Sequence, residues 1–194
     1  LMLGFNLLAM NCAQAAEVTI ASAAGSSWKI LVAAPSTPTK ASFDLNTSSG
    51  SDSGNFGYEL AAAQELSTLL QRMSDAKCEV VSVQDAAEAS KYSQAIVIGS
   101  LARELGAKPP RSKYGVDGSS VAVSANRVLL AGETPIASYF AMTRFAEMLG
   151  CRWYMPGELG EVIPRRKVLS VKSGTFDEVP QIWSRYPWLS GGEP

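Results

Sequence analysis

Two glutamates, Glu158 and Glu161, flank Gly160 just beyond the triplet Arg152-Trp153-Tyr154. Paired carboxylates can run glycoside hydrolysis, one protonating the leaving oxygen while the other acts as base or nucleophile. Here both belong to one short loop opening on Pro156-Gly157, whereas a working pair faces across a cleft from different elements, so the spacing argues against a catalytic pair. Ile98-Gly99-Ser100 follows a strand-like run and opens a helix, a place where amides can hold phosphate. One glycine is neither G-x-G-x-x-G nor a P-loop, and a plain strand-to-helix turn accounts for it. Capping likewise accounts for Gly132-Glu133-Thr134-Pro135. The rings of Trp153, Tyr154, Trp183, Tyr186 and Trp188 could stack on sugars or bases; packing in a core or domain interface is the competing reading. Packing is expected for Trp153 and Tyr154, directly after a helix end, and exposure or contact with a following domain for Trp183–Trp188. Arg165-Arg166-Lys167 reads as a solvated loop after Pro164.

The 194-residue chain contains no histidine, which removes Ser-His-Asp and Cys-His nucleophile systems and histidine metal sites from it. No cofactor and no metal is expected. Hydrophobic residues make up 46% and charged residues 18%, an ordinary globular mixture able to bury a core. A net charge of −1 offers no basic footprint for nucleic acid. The first residues, LMLGFNLLAMNCAQAA, form an apolar run ending in Ala13-Gln14-Ala15, which reads as the remnant of a secretory signal. The run is too short for a membrane span, and Met10-Asn11 before Cys12 makes a poor lipobox. The expected location is therefore periplasmic or secreted. Cys78 and Cys151 remain after cleavage; they could pair in an exported protein or be two small buried hydrophobes.

The elements that must position these residues alternate in type. Ser27–Ala33 is expected as a strand, and Ala34–Ser53 as a long polar loop. Tyr58–Met73 is expected as a helix burying Ala62, Leu66, Leu69, Leu70 and Met73 on one face. Strands at Cys78–Val83 and Ala95–Ile98 and a short helix at Ser100–Leu105 follow. Val121–Ala125 and Arg127–Leu130 suit a hairpin about Asn126. Pro135–Leu149 is the second main helix, with Thr134 as N-cap, Pro135 at N1 and Gly150 at its end. Its apolar face is read as Ile136, Tyr139, Phe140, Thr143, Ala146 and Met148. Arg152–Met155, Glu161–Ile163 and Val168–Val171 complete the strands. The expected fold is an α/β (α+β) sandwich, a mixed β-sheet with two main helices packed on one face; a doubly wound sheet is the alternative.

The stretch from Leu129 through Leu149-Gly150-Cys151-Arg152-Trp153-Tyr154, Pro156-Gly157 and Val162-Ile163-Pro164 resembles the N-terminal domain that precedes the catalytic barrel in bacterial α-glucuronidases and family 20 β-hexosaminidases. The resemblance implies a domain over residues 16–178 behind a signal remnant at 1–15, with residues 179–194 starting a following barrel. It implies a non-catalytic accessory domain of an exported glycoside-hydrolase-like protein, whose carbohydrate substrate is met through that barrel. Catalytic carboxylates would lie in the barrel, so none is placed on this sequence. Val179-Pro180-Gln181-Ile182-Trp183-Ser184-Arg185 resembles the barrel entry, where the family's arginine holds sugar hydroxyls; Arg185 matches that position. Ile182 in place of an aromatic, and Tyr186-Pro187-Trp188, depart from the pattern. The alternative is a secreted carbohydrate-binding module using Trp183 and Trp188 as substrate contacts.

Overall fold

The computed structural model describes residues 16–35, 52–113 and 117–182. The chain runs β1 (Glu17–Ser22), β2 (Lys29–Ala33), α1 (Asp52–Ser74), β3 (Val80–Val83), α2 (Ala86–Ala89), β4 (Ala95–Ile98), α3 (Ser100–Glu104), β5 (Ser119–Ser124) and β6 (Arg127–Gly132). It continues through α4 (Pro135–Leu149), β7 (Arg152–Trp153), a 3₁₀ turn (Glu158–Gly160), β8 (Glu161–Val162), β9 (Val168–Lys172) and β10 (Gly174–Glu178). Six strands form one mixed sheet in the order β10-β5-β6-β4-β2-β3. β3, β2, β4 and β6 run parallel, and β5 and β10 add antiparallel strands at one side.

Alternation along the central strands decides the layers. Ile30 and Val32 of β2, Ile96 and Ile98 of β4, and Val128 and Leu130 of β6 enter one core with α1 and α4. Leu31, Ala95, Val97 and Ala131 enter a second core with Ala89 of α2 and Leu101 and Ala102 of α3. Successive strand side chains point to opposite faces, so continuous apolar runs such as Ala95–Ile98 are what a sheet covered on both sides requires. The expected sandwich, with two main helices on one face, is the fold observed. The opposite face carries the two short helices. A ribbon of β1 paired antiparallel with β9 closes the helical side, contributing Val18, Ile20, Leu169 and Val171 to the main core. Trp28 ties it to β2 by donating its indole N–H to the Thr19 carbonyl at 3.0 Å.

Boundaries shift where side chains compete with ladders. β3 starts at Val80 rather than Cys78, because the Cys78 carbonyl accepts from Ser67 Oγ at 2.6 Å. α1 begins at Asp52, six residues before the expected start, running through Gly54 and Gly57 despite their poor propensity. Its expected face, Ala62, Leu66, Leu69, Leu70 and Met73, is buried. The hairpin turn is two residues, Ala125-Asn126, between longer strands than expected. β1, α2 and β10 have no counterpart in the sequence reading. For α2 the signal is Asp85-Ala86-Ala87-Glu88: Asp85 accepts from the Glu88 amide at 2.8 Å, and Glu88 accepts from the Gln84 amide at 2.7 Å, a capping-box-like exchange.

α4 has the expected bounds and caps. Thr134 Oγ1 accepts from the Ala137 amide at 3.2 Å, and Gly150 is left-handed at φ 114°. Its buried face is different from the one expected. Ala137, Ala141, Met142, Phe145, Ala146 and Leu149 face the core, while Ile136 and Phe140 remain 40% and 39% exposed. Small residues face inward because α4 lies close against β6: a Cβ on Gly132 would run into Ala137 and Ser138. Phe145→Ala should therefore cost about 3–5 kcal/mol, and Ile136→Ala under about 1 kcal/mol. Urea unfolding of both variants measures this; equal losses would contradict the observed face.

Candidate functional site

Three surfaces hold the residues singled out by the sequence. The first is the crevice at the carboxyl ends of β2 and β4. The chain leaves β2 for β3 on one side and returns to β4 on the other, which is where ligands of open α/β sheets tend to bind. In this chain the crevice is filled from within. Glu59 of α1 is 3% exposed, and its carboxylate accepts from the Ser100 amide at 2.8 Å and from Ser100 Oγ at 2.9 Å. Gly99 has φ 77°, and a Cβ there would collide with the Glu59 carboxylate. The amide that a phosphate would use is therefore taken by a protein carboxylate, and the strand-to-helix reading of Gly99-Ser100 holds. Nearby, Arg103 donates to the Gly132 carbonyl at 2.8 Å. Glu133 accepts from the Ser112 and Gly118 amides at 3.0 and 2.9 Å, folding the preceding loop against the start of α4.

Burial pushes the Glu59 carboxyl above the usual carboxylate range. The two Ser100 hydrogen bonds and the Arg103 charge oppose this, and Glu104 adds to it.

The second surface is the loop Trp153–Glu161, which walls an open cleft of about 540 Å³. Trp153 is half-buried against the main core, and its indole N–H donates to Glu161 Oε1 at 3.3 Å. Glu161 also pairs with Arg72 at 2.7 Å, and that bond holds its carboxyl below the usual range. A general acid needs the opposite shift. Glu161 is thus a buttress of Trp153, tied to it and to Arg72. Tyr154 departs from expectation: its side chain stands out 75% exposed beside Met155 and Leu159. The backbone explains this. The Tyr154 amide donates to the Gly160 carbonyl at 2.9 Å, and the Gly160 amide to the Gly157 carbonyl at 3.0 Å, so the tight turn fixes Trp153 inward and its successor outward. Of the basic run, Arg165 pairs with Asp75 at 3.2 Å with both side chains exposed, as a solvated loop would.

The third surface is a groove of about 500 Å³ between β10 and the first half of α4, lined by Phe140, Ser119, Asp177, Glu178, Pro180 and Gln181. Glu178 Oε1 lies 2.8 Å from Arg144 Nε without the alignment of a hydrogen bond, so the contact is a charge pair that pins the end of β10 to α4. The expected substrate contacts Arg185, Trp183 and Trp188 lie outside the described residues. Cys78 and Cys151 are both buried and unpaired. Cys151 Sγ rests 3.6 Å from Met73 Sδ, and burial pushes both thiols up, which keeps them protonated and unreactive. Among the described residues no His/Cys/Asp/Glu group could hold a metal ion, and no helix is long and apolar enough to cross a membrane.

No family model matches the chain, and no curated protein matches its sequence. Its fold is similar to part of a solved family GH115 4-O-methyl-α-glucuronidase with specificity for decorated arabinogalactans, with a TM-score of 0.50 and 14% identity over 83% of this chain. The chain spans 18% of that enzyme. At such identity the likeness is one of fold.

The Glu59 latch makes a signed prediction. A carboxyl whose folded pKa is raised binds its proton more tightly in the folded state, so its contribution to stability is full below the unfolded pKa of about 4.3 and declines as pH rises through the folded value. Glu59→Gln keeps the amide contact without the charge. Its thermal midpoint should gain on the parent's as pH rises above about 4.5. Parallel melts from pH 4 to pH 8 measure the difference; a gap that stays flat or moves the other way would rule out a net burial penalty on the Glu59 charge.

Proposed function

We propose that this chain is a non-catalytic N-terminal domain of an exported glycoside-hydrolase-like protein acting in carbohydrate degradation, whose role is to buttress a catalytic barrel that follows it. The observation that carries the reading is the fold likeness to a glycoside hydrolase over most of this chain. The order of parts from Leu129 to Pro164, with its resemblance to domains that precede such barrels, points the same way. The chemistry of the described surface agrees: Glu59 closes the strand-end crevice, and Glu161 is held by Arg72 and Trp153. In this reading carbohydrate is met through the barrel, and Arg185 would be its first contact, holding sugar hydroxyls or a uronic carboxylate with its guanidinium fork. Signal-directed export to the periplasm or beyond belongs to the same proposal.

A second reading, a secreted carbohydrate-binding module, is favoured by the outward Tyr154 ring above its cleft, to which Trp183 and Trp188 would add further stacking faces.

The 194-residue chain alone should release neither uronic acid from aryl α-glucuronides nor amino sugar from aryl N-acetylhexosaminides. Turnover by the purified chain, lost on substituting one of its carboxylates, would overturn the non-catalytic reading. Glycan-array binding abolished by Tyr154→Ala would move the assignment to the binding module.

A further inference from the structure

The six-stranded sheet ends in two unlike edges. β10 carries the usual deterrents to further pairing: Gly174 at its start, Asp177 and Glu178 at its end, and Pro180 just beyond. β3 carries none of them. Val80-Val81-Ser82-Val83 has no charge, no glycine and no proline, and it is paired on its inner side by β2. Val80 and Val81 are only half-covered, Val80 on the α1–α4 side and Val81 on the side of α2 and α3.

The ladder to β2 decides which backbone groups of β3 are left over. The Ile30 amide donates to the Glu79 carbonyl at 2.9 Å, and the Ala34 amide to the Val83 carbonyl at 2.7 Å. In a parallel ladder of this register alternate residues turn inward, so Val81 and Val83 bond to β2 while the N–H and C=O groups of Val80 and Ser82 point outward. Among the described residues no strand meets them. Outward groups on residues i and i+2 are what one side of an antiparallel ladder presents.

We propose that β3 pairs antiparallel with β3 of a second copy of this chain, across a two-fold axis at Val81, joining the two sheets into one. Val80 of each copy then exchanges N–H···O=C bonds with Ser82 of the other, and the two half-covered Val81 side chains close against each other on the axis. Other registers fail on local chemistry. An axis between residues would set outward groups against inward ones. An axis at Ser82 would put Val80 opposite Gln84, whose amide already donates to Glu88, and Glu79 opposite Asp85. An axis at Val80 would put Ser82 opposite Cys78, whose carbonyl already accepts from Ser67. The Val81 register instead brings the exposed Lys77 of each copy toward the exposed Asp85 of the other. One strand thus supplies both halves of the ladder and both signs of the flanking charge. That self-complementarity selects a second copy over a foreign strand.

So short a pairing buries less than a standard interface, and a dissociation constant of about 1–100 µM is expected. Sedimentation of the full 194-residue chain over that range should show a concentration-dependent monomer–dimer equilibrium. Ser82→Pro removes an amide that β2 does not use, so it should abolish the dimer and keep the helical circular dichroism. Lys77→Glu should raise the dissociation constant about fivefold. Adding Asp85→Asn, which retains a capping side chain for α2, should reverse that loss. Cysteines read the register independently of Ser82→Pro. In a Cys12→Ser background, Val81→Cys should crosslink into a dimer on mild oxidation, because its Cα atoms would stand about 4.5 Å apart across the axis. Val80→Cys should not crosslink. A chain that stays monomeric throughout, a dimer indifferent to Ser82→Pro, or a Val80→Cys crosslink that outruns Val81→Cys would overturn the pairing. So would slow amide exchange at Val80 and Ser82 in the monomer, since another part of the same chain would then cover the edge.

Discussion

The structure depends on the burial of β4 on both faces. All four of its residues, Ala95 to Ile98, are fully covered, two by the α1–α4 layer and two by the α2–α3 layer. A strand enclosed in this way has no polar side chains to meet water at its end, so the end itself must be closed. Glu59 does this. It reaches from α1 to the first amide of α3, and Gly99 leaves the space its carboxylate occupies. The same contact joins the two helical layers through the turn between them. A charge placed there is disfavoured by burial and tolerated because two hydrogen bonds and the Arg103 charge meet it.

Much of this was legible in the sequence where periodicity and caps agree. The α1 face from Ala62 to Met73 and the ends of α4 at Thr134 and Gly150 were readable because local chemistry and tertiary packing demand the same residues. The inward face of α4 was not. Ile136 and Phe140 look like core residues on a helical wheel, but close approach to β6 selects Ala137 and Ala141 instead. β10 escaped notice because Gly174-Thr175-Phe176-Asp177-Glu178 is a mostly exposed edge strand, held on one side only by β5. The alternation of β1 becomes meaningful only with β9 beside it, about 150 residues on.

Of the candidate site, the turns at Gly99 and Gly132 followed from motif specificity and capping. Tyr154 did not, since a residue after a helix end can face either way until the hydrogen bonds of the next turn are known. Glu59 was not singled out either. Within the α1 pattern it sits one turn ahead of the apolar face, and only the approach of the Ser100 turn gives it a partner.

The carboxylates of this domain divide in a way that bears on where chemistry can occur. Glu59, whose carboxyl is pushed upward as a general acid's must be, is sealed from solvent by the residues it joins. Glu79, which faces water, and the partly buried Glu161 are held down by Lys29 and Arg72. Glu133 is committed to two backbone amides, and Glu178 to Arg144. A raised pKa and access to a substrate are needed together in a catalytic acid, and the packing that produces the first property in Glu59 removes the second. The described carboxylates with known partners are thus spent on fixing turns, strand ends and the exit of the chain.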